Sequence, residues 1–444
     1  MKKFAKITSL LLLSLALVFV ACKKEPEPDP QGEPGSVTDS VGHYNPEPAQ
    51  NTPMYVNFLP EFNSVYQLSP NADGTFFALA DGNETDYLLK LDGTGTVLEK
   101  KRLGFRSLRC VAKTNESIVL IGNLGDVSTP YFMHKTGYVA IFDMSMNLLA
   151  TTTLSDPQFK IELRTILQDS EDPAVFYVGG HAINESFIQF PYIATLRYEE
   201  GLMTVVKSRI FDDSKYSRCR ILGMVEKKVS GQKDLVLEMT QYSIVNDPTE
   251  ENSNTVHIAK LNYFEEAWGW GQFTFDVAIE GPHGDSYTGN NSIDSDDESI
   301  YFFGFCNDDK ELVPANGGYW ASGCIAAVNW REGRKLWQRV VSFSERADCF
   351  YDGQLLDGYL YVCGRHCGIH YFSTEKRFSN GLVAKFSLSG ELISQKTFGD
   401  SQRYSKLYHF VRDLNGNIVC AGGSAENLGD DKLKENGWFL KTDL

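Results

Sequence analysis

Short runs of alternating apolar and polar residues fill the chain from Met54 to Leu444, and turn dipeptides separate them. A period of two puts every second side chain on one face, the pattern of half-buried strands. No long stretch carries the 3.6-residue period of an amphipathic helix. Aromatic residues make up 12% of the sequence, a share that suits strands on packed sheets. The expectation is an all-β body.

Two elements recur along it. The first is a turn and a strand that ends near Gly or Ala: ADGTFFALA (72–80), ESIVLIGN (116–123), PAVFYVGG (173–180), DLVLEMT (234–240), ESIYFFGF (298–305), DGYLYVCG (357–364) and NGNIVCAGG (415–423). The second is a strand, a tight turn and a strand, as in YLLKLDGTGTVLEKKRL (87–103), GYVAIFDMSMNLLATTTL (137–154) and GLVAKFSLSGELISQKTF (381–398). Each unit therefore holds four strands, A to D in chain order. Seven units spread over residues 54–444 average about 56 residues each, at the long end for propeller blades. Four-stranded sheets repeated radially make a β-propeller, and seven in-phase copies argue against a two-sheet sandwich. The last copy, from GWFLKTDL (437–444), lacks a D strand, and MYVNFLP (54–60) has the alternation to supply it. The expected fold is a seven-bladed β-propeller whose ring closes by pairing the two chain ends.

The first 53 residues read differently. Lys2, Lys3 and Lys6 precede an apolar core from Leu10 to Val20, too short for a comfortable membrane span and shaped like a signal-peptide core. Val20-Ala21-Cys22 resembles the lipobox of bacterial lipoproteins, which implies a signal peptide over 1–21 and a lipid on the thiol of Cys22. Residues 22–53 are rich in Pro, Glu, Gly and Ser, which fits a disordered tether. The charged stretch after Cys22 is similar to the surface-export signal of Bacteroidota lipoproteins, so the resemblance implies an outer-membrane anchor and an exposed body. AAVNWREGRKLWQRVV (326–341) also resembles a quinoprotein-like propeller repeat, although the other six units do not repeat its tryptophans.

A formal net charge of −16 argues against nucleic acid and against adsorption to an anionic bilayer, leaving the acyl chains as the membrane contact. Nine cysteines include Cys22. The other eight permit disulfides in an oxidising compartment, with Cys306 and Cys324 as the favoured pair, or serve as buried thiols in strands.

The unequal loops carry the functional reading. In a blade the A–B and C–D turns open on one face, and here they are short. The B–C and D–A connections open on the other, and six of the seven B–C loops are long, including CNDDKELVPANGGYWASG and GRHCGIHYFSTEKRFSNG. Loops held by a rigid scaffold tend to carry function. These expose Tyr131, Phe132, Phe187, Phe190, Tyr319, Trp320, Tyr371 and Phe372. The same face receives the starts of the innermost A strands, where Arg109 and Arg164 fall at matching sequence positions, with Arg218 or Arg220 next. Three arginines at a channel mouth would hold an anion, unless each pairs with a neighbouring acid.

Other constellations say less. CGRHCGIH (363–370) gathers Cys363, His366, Cys367 and His370, but the run leaves a strand directly into a loop, unlike the paired elements of structural zinc sites. His366 is kept as a ligand-binding candidate; no metal or cofactor is called for. SDDES (295–299) reads as a solvated turn, and no nucleophile elbow, phosphate loop or zincin motif occurs. The expected function is a binding or scaffold protein whose loop face meets a polysaccharide or an envelope protein, with a body that works as a monomer. The alternative is a hydrolase or lyase acting on glycans at the channel mouth. Acids converging with the arginines would favour the enzyme, and an aromatic platform would favour binding.

Overall fold

A computed structural model describes residues 38–43, 52–82, 85–113, 117–124, 136–229, 232–241, 255–262, 273–279, 286–307, 321–343, 347–367, 379–399, 403–427 and 433–444. Its strands form seven antiparallel four-stranded blades. Blade 1 is β3–β6 (Ser64–Pro70, Phe76–Asp81, Asp86–Leu91, Val97–Arg102), and blade 2 is β7–β10 (Arg106–Lys113, Ser117–Leu124, Thr136–Asp143, Leu148–Leu154). Blade 3 is β11–β14 (Lys160–Gln168, Val175–Ile183, Gln189–Glu199, Leu202–Ile210). Blade 4 is β15–β18 (Cys219–Val229, Gln232–Gln241, Thr255–Asn262, Phe273–Ile279). Blade 5 is β19–β22 (Ser286–Ser295, Ser299–Asn307, Ala321–Asn329, Arg334–Ser342), and blade 6 is β23–β26 (Ala347–Leu356, Tyr359–Cys367, Asn380–Phe386, Leu392–Phe398). Blade 7 joins β27–β29 (Arg403–Arg412, Ile418–Asn427, Leu433–Thr442) to β2 (Tyr55–Leu59).

The expected closure is present. Tyr55 pairs with Lys441 and Leu59 with Gly437, so the strand before the first blade completes the last. Each first strand touches the first strand of the next blade, and β27 touches β3, which makes these seven the inner wall of the ring. The second and third strands alternate between two apolar faces and fill the interfaces between blades. Val119, Ile121, Val139 and Ile141 of blade 2, for example, pack on Phe176, Val178, Ala194 and Leu196 of blade 3. Fourth strands are the wettest, as Val97–Arg102 and Leu202–Ile210 show. One further strand, β1 (Thr38–His43), runs parallel to β22 at the outer edge of blade 5.

Side-chain acceptors tie the blades together near the axis. Asn123 accepts the N–H of Leu163 at 3.1 Å, and Ser292 donates to Glu238. Asp294 accepts the N–H of Leu355 at 2.8 Å, and Asp352 that of Phe410 at 2.9 Å. His409 accepts the N–H of Leu68 at 3.2 Å and so links blade 7 to blade 1. A backbone donor buried near the axis costs the fold unless it is bonded, and the neighbouring blade supplies the acceptor.

The cysteine expectation needs correcting. Cys306 and Cys324 are not joined; both are buried, and Cys324 Sγ accepts from Gln338 Nε2 at 3.7 Å. Cys306 faces Ser322 across the ladder, while Cys324 faces Gly304. The buried-thiol alternative holds for this pair.

Candidate functional site at the inner-strand mouth

Every inner strand breaks its ladder with its second strand near its middle, and β7 breaks it a second time at Val111. The residue left out is Tyr66 in β3, Leu108 in β7, Arg164 in β11, Leu222 in β15, Tyr351 in β23 and Tyr408 in β27, while β19 omits a longer stretch between Thr288 and Ile293. A bulge of this kind turns one side chain out of the alternation. The Gly-or-Ala ending of the sequence repeat is its counterpart. Ala80, Gly122, Gly180, Gly304, Gly364 and Gly422 face the residue just before the bulge. A Cβ on Gly180, Gly364 or Gly422 would lie 1.8–2.0 Å from the carbonyl oxygen of Glu162, Cys349 or Lys406. Only glycine lets the two backbones come that close.

Two sectors of this ring carry charge, and they differ. In blade 3 the carboxylate of Glu162 is ion-paired with Arg164 and sits 3.4 Å from His181 Nε2. Burial would raise the Glu162 pKa, but the His181 hydrogen bond and the charge of Arg164 outweigh it and bring it down to about 2. Burial pushes His181 down to about 4, against the pull of Glu162. Arg220 of the next blade adds its charge to both and bonds Gln189. His181 is 1% exposed and Glu162 6%, so the pair is sealed.

In blades 6 and 7 the same level is half-buried and aromatic. Tyr404, Lys406 and Tyr408 share one side of β27 and are half-buried, whereas Ser405 and Leu407 between them are buried. The Lys406 ammonium stands 4.7 Å from the Tyr408 ring centre and 5.8 Å from that of Tyr404. Arg365 lies over the Tyr404 ring at 5.8 Å, donates to the Tyr404 hydroxyl, and reaches Cys349 Sγ at 3.3 Å. Tyr351 and Tyr408 are 5.6 Å apart, and Phe305 meets Tyr351 edge-on at 6.3 Å. Burial holds the Tyr351, Tyr408 and Cys349 pKa values above their ordinary range, so all three stay neutral in water near pH 7.

The residues expected from sequence are spread across these sectors. Arg164 is the bulge residue of β11, and its acid is Glu162. Arg109 pairs with Ile121 in the ladder, because the bulge in β7 falls on Leu108. The two arginines are therefore not equivalent, and the expected row of matched cations is one position out of step. Arg218 precedes β15 with a left-handed φ of 68°, its N–H bonded to the Gln189 carbonyl. His366 is buried with Nδ1 2.9 Å from Asp348, which in turn accepts the N–H of Phe343. Cys363 is turned into the blade interface, its Sγ 3.7 Å from the Leu407 carbonyl. Phe187 is 67% exposed with Lys160 above its ring, while Phe190 is buried against Phe159. Tyr131, Phe132, Tyr319, Trp320, Tyr371 and Phe372 lie outside the described residues, as does Cys22. Among the described residues no three His, Cys, Asp or Glu side chains gather as a metal site.

Tyr351, Tyr404, Lys406, Tyr408 and Arg365 were not singled out from sequence. The repeated glycine was the available signal, since it marks the bulge level on the preceding strand.

No family model matches the chain, and no curated protein matches it. Solved structures similar to it include streptogramin B lyase, with 8% identity over 87% of this chain and 97% of that one and a TM-score of 0.45. Drosophila plexin A, from its complex with semaphorin 1b, has 9% identity over 89% and 88% with a TM-score of 0.42. A Bacteroides caccae protein of unknown function has 11% identity over 72% and 92% with a TM-score of 0.38. The likeness extends to no function.

Proposed function

We propose that this protein is a lipid-anchored binding protein of the bacterial outer membrane. On this reading it is carried on Cys22 and its tether, and it offers the loop end of its propeller to a polysaccharide. One observation supports this most: the two ends of the ring are unlike. The short-turn end binds itself. Asp73, Asp92, Asp143, Asp296 and Asp413 each accept backbone N–H groups of their own turns. Tyr177 and Tyr301 donate to turn acids Asp169 and Asp296. At the other end most second-to-third-strand connections are long, with gaps such as 308–320 and 368–378 between paired strands. That end also holds the aromatic and cationic platform of blades 6 and 7. Flat rings beside hydrogen-bonding groups are what a sugar needs.

Incubating the full chain with intact envelopes, cross-linking, and identifying both glycans and proteins tests this. Trp320→Ala and Tyr371→Ala should weaken capture about tenfold, and changes at Trp268 and Trp270, which fall in sequence between β17 and β18, should not. Loss through the latter pair alone would invert the faces, and recovery of a protein without glycan would replace the polysaccharide. Cys22→Ala should release the chain from the membrane fraction; a cleaved variant that stays there overturns the anchor.

An enzyme is the second reading, because Glu162 does converge with Arg164 at the mouth. Its burial and its ion pair make it a poor acid or base for an outside substrate. New reducing ends or an unsaturated product from a glycan, lost in Glu162→Gln, would favour the enzyme instead.

A further inference from the structure

We infer that the platform of blades 6 and 7 is a subsite for an acidic sugar, a pyranose bearing a carboxylate or a sulfate. This rests on the loop end being the binding end and adds what is bound there. The bulges of β23 and β27 build the platform. They turn Tyr351 and Tyr408 out of neighbouring inner strands and bring their rings to 5.6 Å. Tyr404 continues the row along β27 two steps towards the mouth. Strands rise about 3.4 Å per residue, so Tyr404 and Tyr408 span roughly 10–14 Å. That is the length of two or three linked pyranoses, whose C–H faces stack on tyrosine rings while their hydroxyls bond the phenols.

The cations give the charge. Arg365 and Lys406 are held over these same rings, within 6 Å of the centres. Arg365 comes from the second strand of blade 6 and Lys406 from the first strand of blade 7, so they flank the row from two sides. A guanidinium on one side of the row and an ammonium on the other each suit a carboxylate or sulfate group of a sugar lying on the rings. The negative charges of Glu435 and Asp81 also reach Tyr408. These charges disfavour a dense polyanion such as nucleic acid. The ligand chemistry is thus modest charge on a hydroxylated ring.

The test measures binding of the full-length protein to three probes: a galacturonic acid hexamer, a singly sulfated carrageenan hexamer, and neutral cellohexaose. At least one acidic probe should bind tenfold or more tightly than cellohexaose, and the two acidic probes tell carboxylate from sulfate. Lys406→Gln should cost about tenfold on the acidic probe and leave cellohexaose unchanged, with a loss that shrinks as salt rises. Tyr408→Leu should weaken both classes. Lys100→Gln, whose lysine pairs with Glu61 at the outer edge of blade 1, should change nothing. Melting curves of each variant separate binding loss from unfolding. Equal binding of acidic and neutral probes, or equal loss through Lys406 and Lys100, overturns the acidic sugar but leaves the loop end as the binding end. Binding that survives Lys406→Gln and Tyr408→Leu but fails in the Trp320 and Tyr371 variants moves the subsite to the loops. If no glycan binds while the envelope experiment returns a protein partner at the loop end, the sugar inference falls alone.

Discussion

Blade 3 and blades 6–7 present the same backbone at the same level of one ring, and they do opposite things with it. Arg164, Tyr351 and Tyr408 occupy equivalent bulges. In blade 3 the bulged cation has an acid two residues earlier, and a buried histidine seals the pair. In blades 6 and 7 the bulged residues are aromatic, and the cations come from other positions to lie against them. A charged residue at a channel mouth is therefore not by itself a site. Blade 3 encloses its charges within the fold, while in blades 6 and 7 the cations lie against half-buried rings.

The largest expected effect strikes both sectors alike. Gly422→Ala or Gly180→Ala drives a Cβ into a carbonyl oxygen, and overpacking against backbone costs about 3 kcal/mol. Urea melts should show the loss in either blade. A neutral result would mean that the close approach is not needed and that the shared bulge explains nothing.

Glu162→Ala comes next. It leaves Arg164 and His181 without their carboxylate and should cost roughly 2–3 kcal/mol, as expected for a charged group losing a partly buried partner. Arg365→Gln should cost less than 1 kcal/mol of stability while reducing glycan binding. If the two variants destabilise equally, the contrast between a folding sector and a binding sector fails.

Acid separates the sectors in another way. His181 titrates near 6.5 and Glu162 near 4.5 when unfolded, and near 4 and 2 in the fold. Both folded values are lower, so the unfolded chain takes up the protons first. The stability that His181 contributes is whole above pH 6.5 and is lost as pH falls to 4. That of Glu162 is lost between 4.5 and 2. The His181 part amounts to about 3 kcal/mol, so His181→Asn should flatten the melting temperature between pH 6.5 and 4. An unchanged acid slope in that variant would assign the lability elsewhere.

The smallest effect belongs to the turns. Tyr177→Phe removes a hydroxyl from Asp169 and should cost about 1 kcal/mol with no change in binding. A binding defect there would mean that the short-turn end is not passive.

Much of this was legible beforehand. Blade count, strand order and the closing strand follow from a repeat that each blade must keep to bury its two faces. The loop asymmetry follows only in part: six long second-to-third-strand loops were expected, but in blades 3 and 7 the strands run on to Ile183 and Gln189 and to Asn427 and Leu433, which leaves short connections there. The mouth was harder to read. Arg109 and Arg164 match in the strings SLRC and ELRT, yet a one-residue difference in bulge position sets them apart. Register is a property of two strands, and one strand's sequence does not declare it. Tyr351 and Tyr408 look like ordinary core aromatics until their opposing glycines, Gly364 and Gly422, are read as the mark of a bulge. His366 looked available because histidine is polar, but its acid, Asp348, arrives from the neighbouring strand.

The closing strand has a consequence for how the molecule is made and loaded. Its two halves lie nearly 400 residues apart in sequence, at Tyr55–Leu59 and Leu433–Thr442. Six blades can assemble as the chain emerges, but the seventh must wait for the final strand, which makes ring closure a late, long-range step in folding. A pull passed along the chain from before Thr38 would meet the β1–β22 pairing on blade 5 first, so the closing ladder of Tyr55–Leu59 would be loaded only after that outer strand had peeled away.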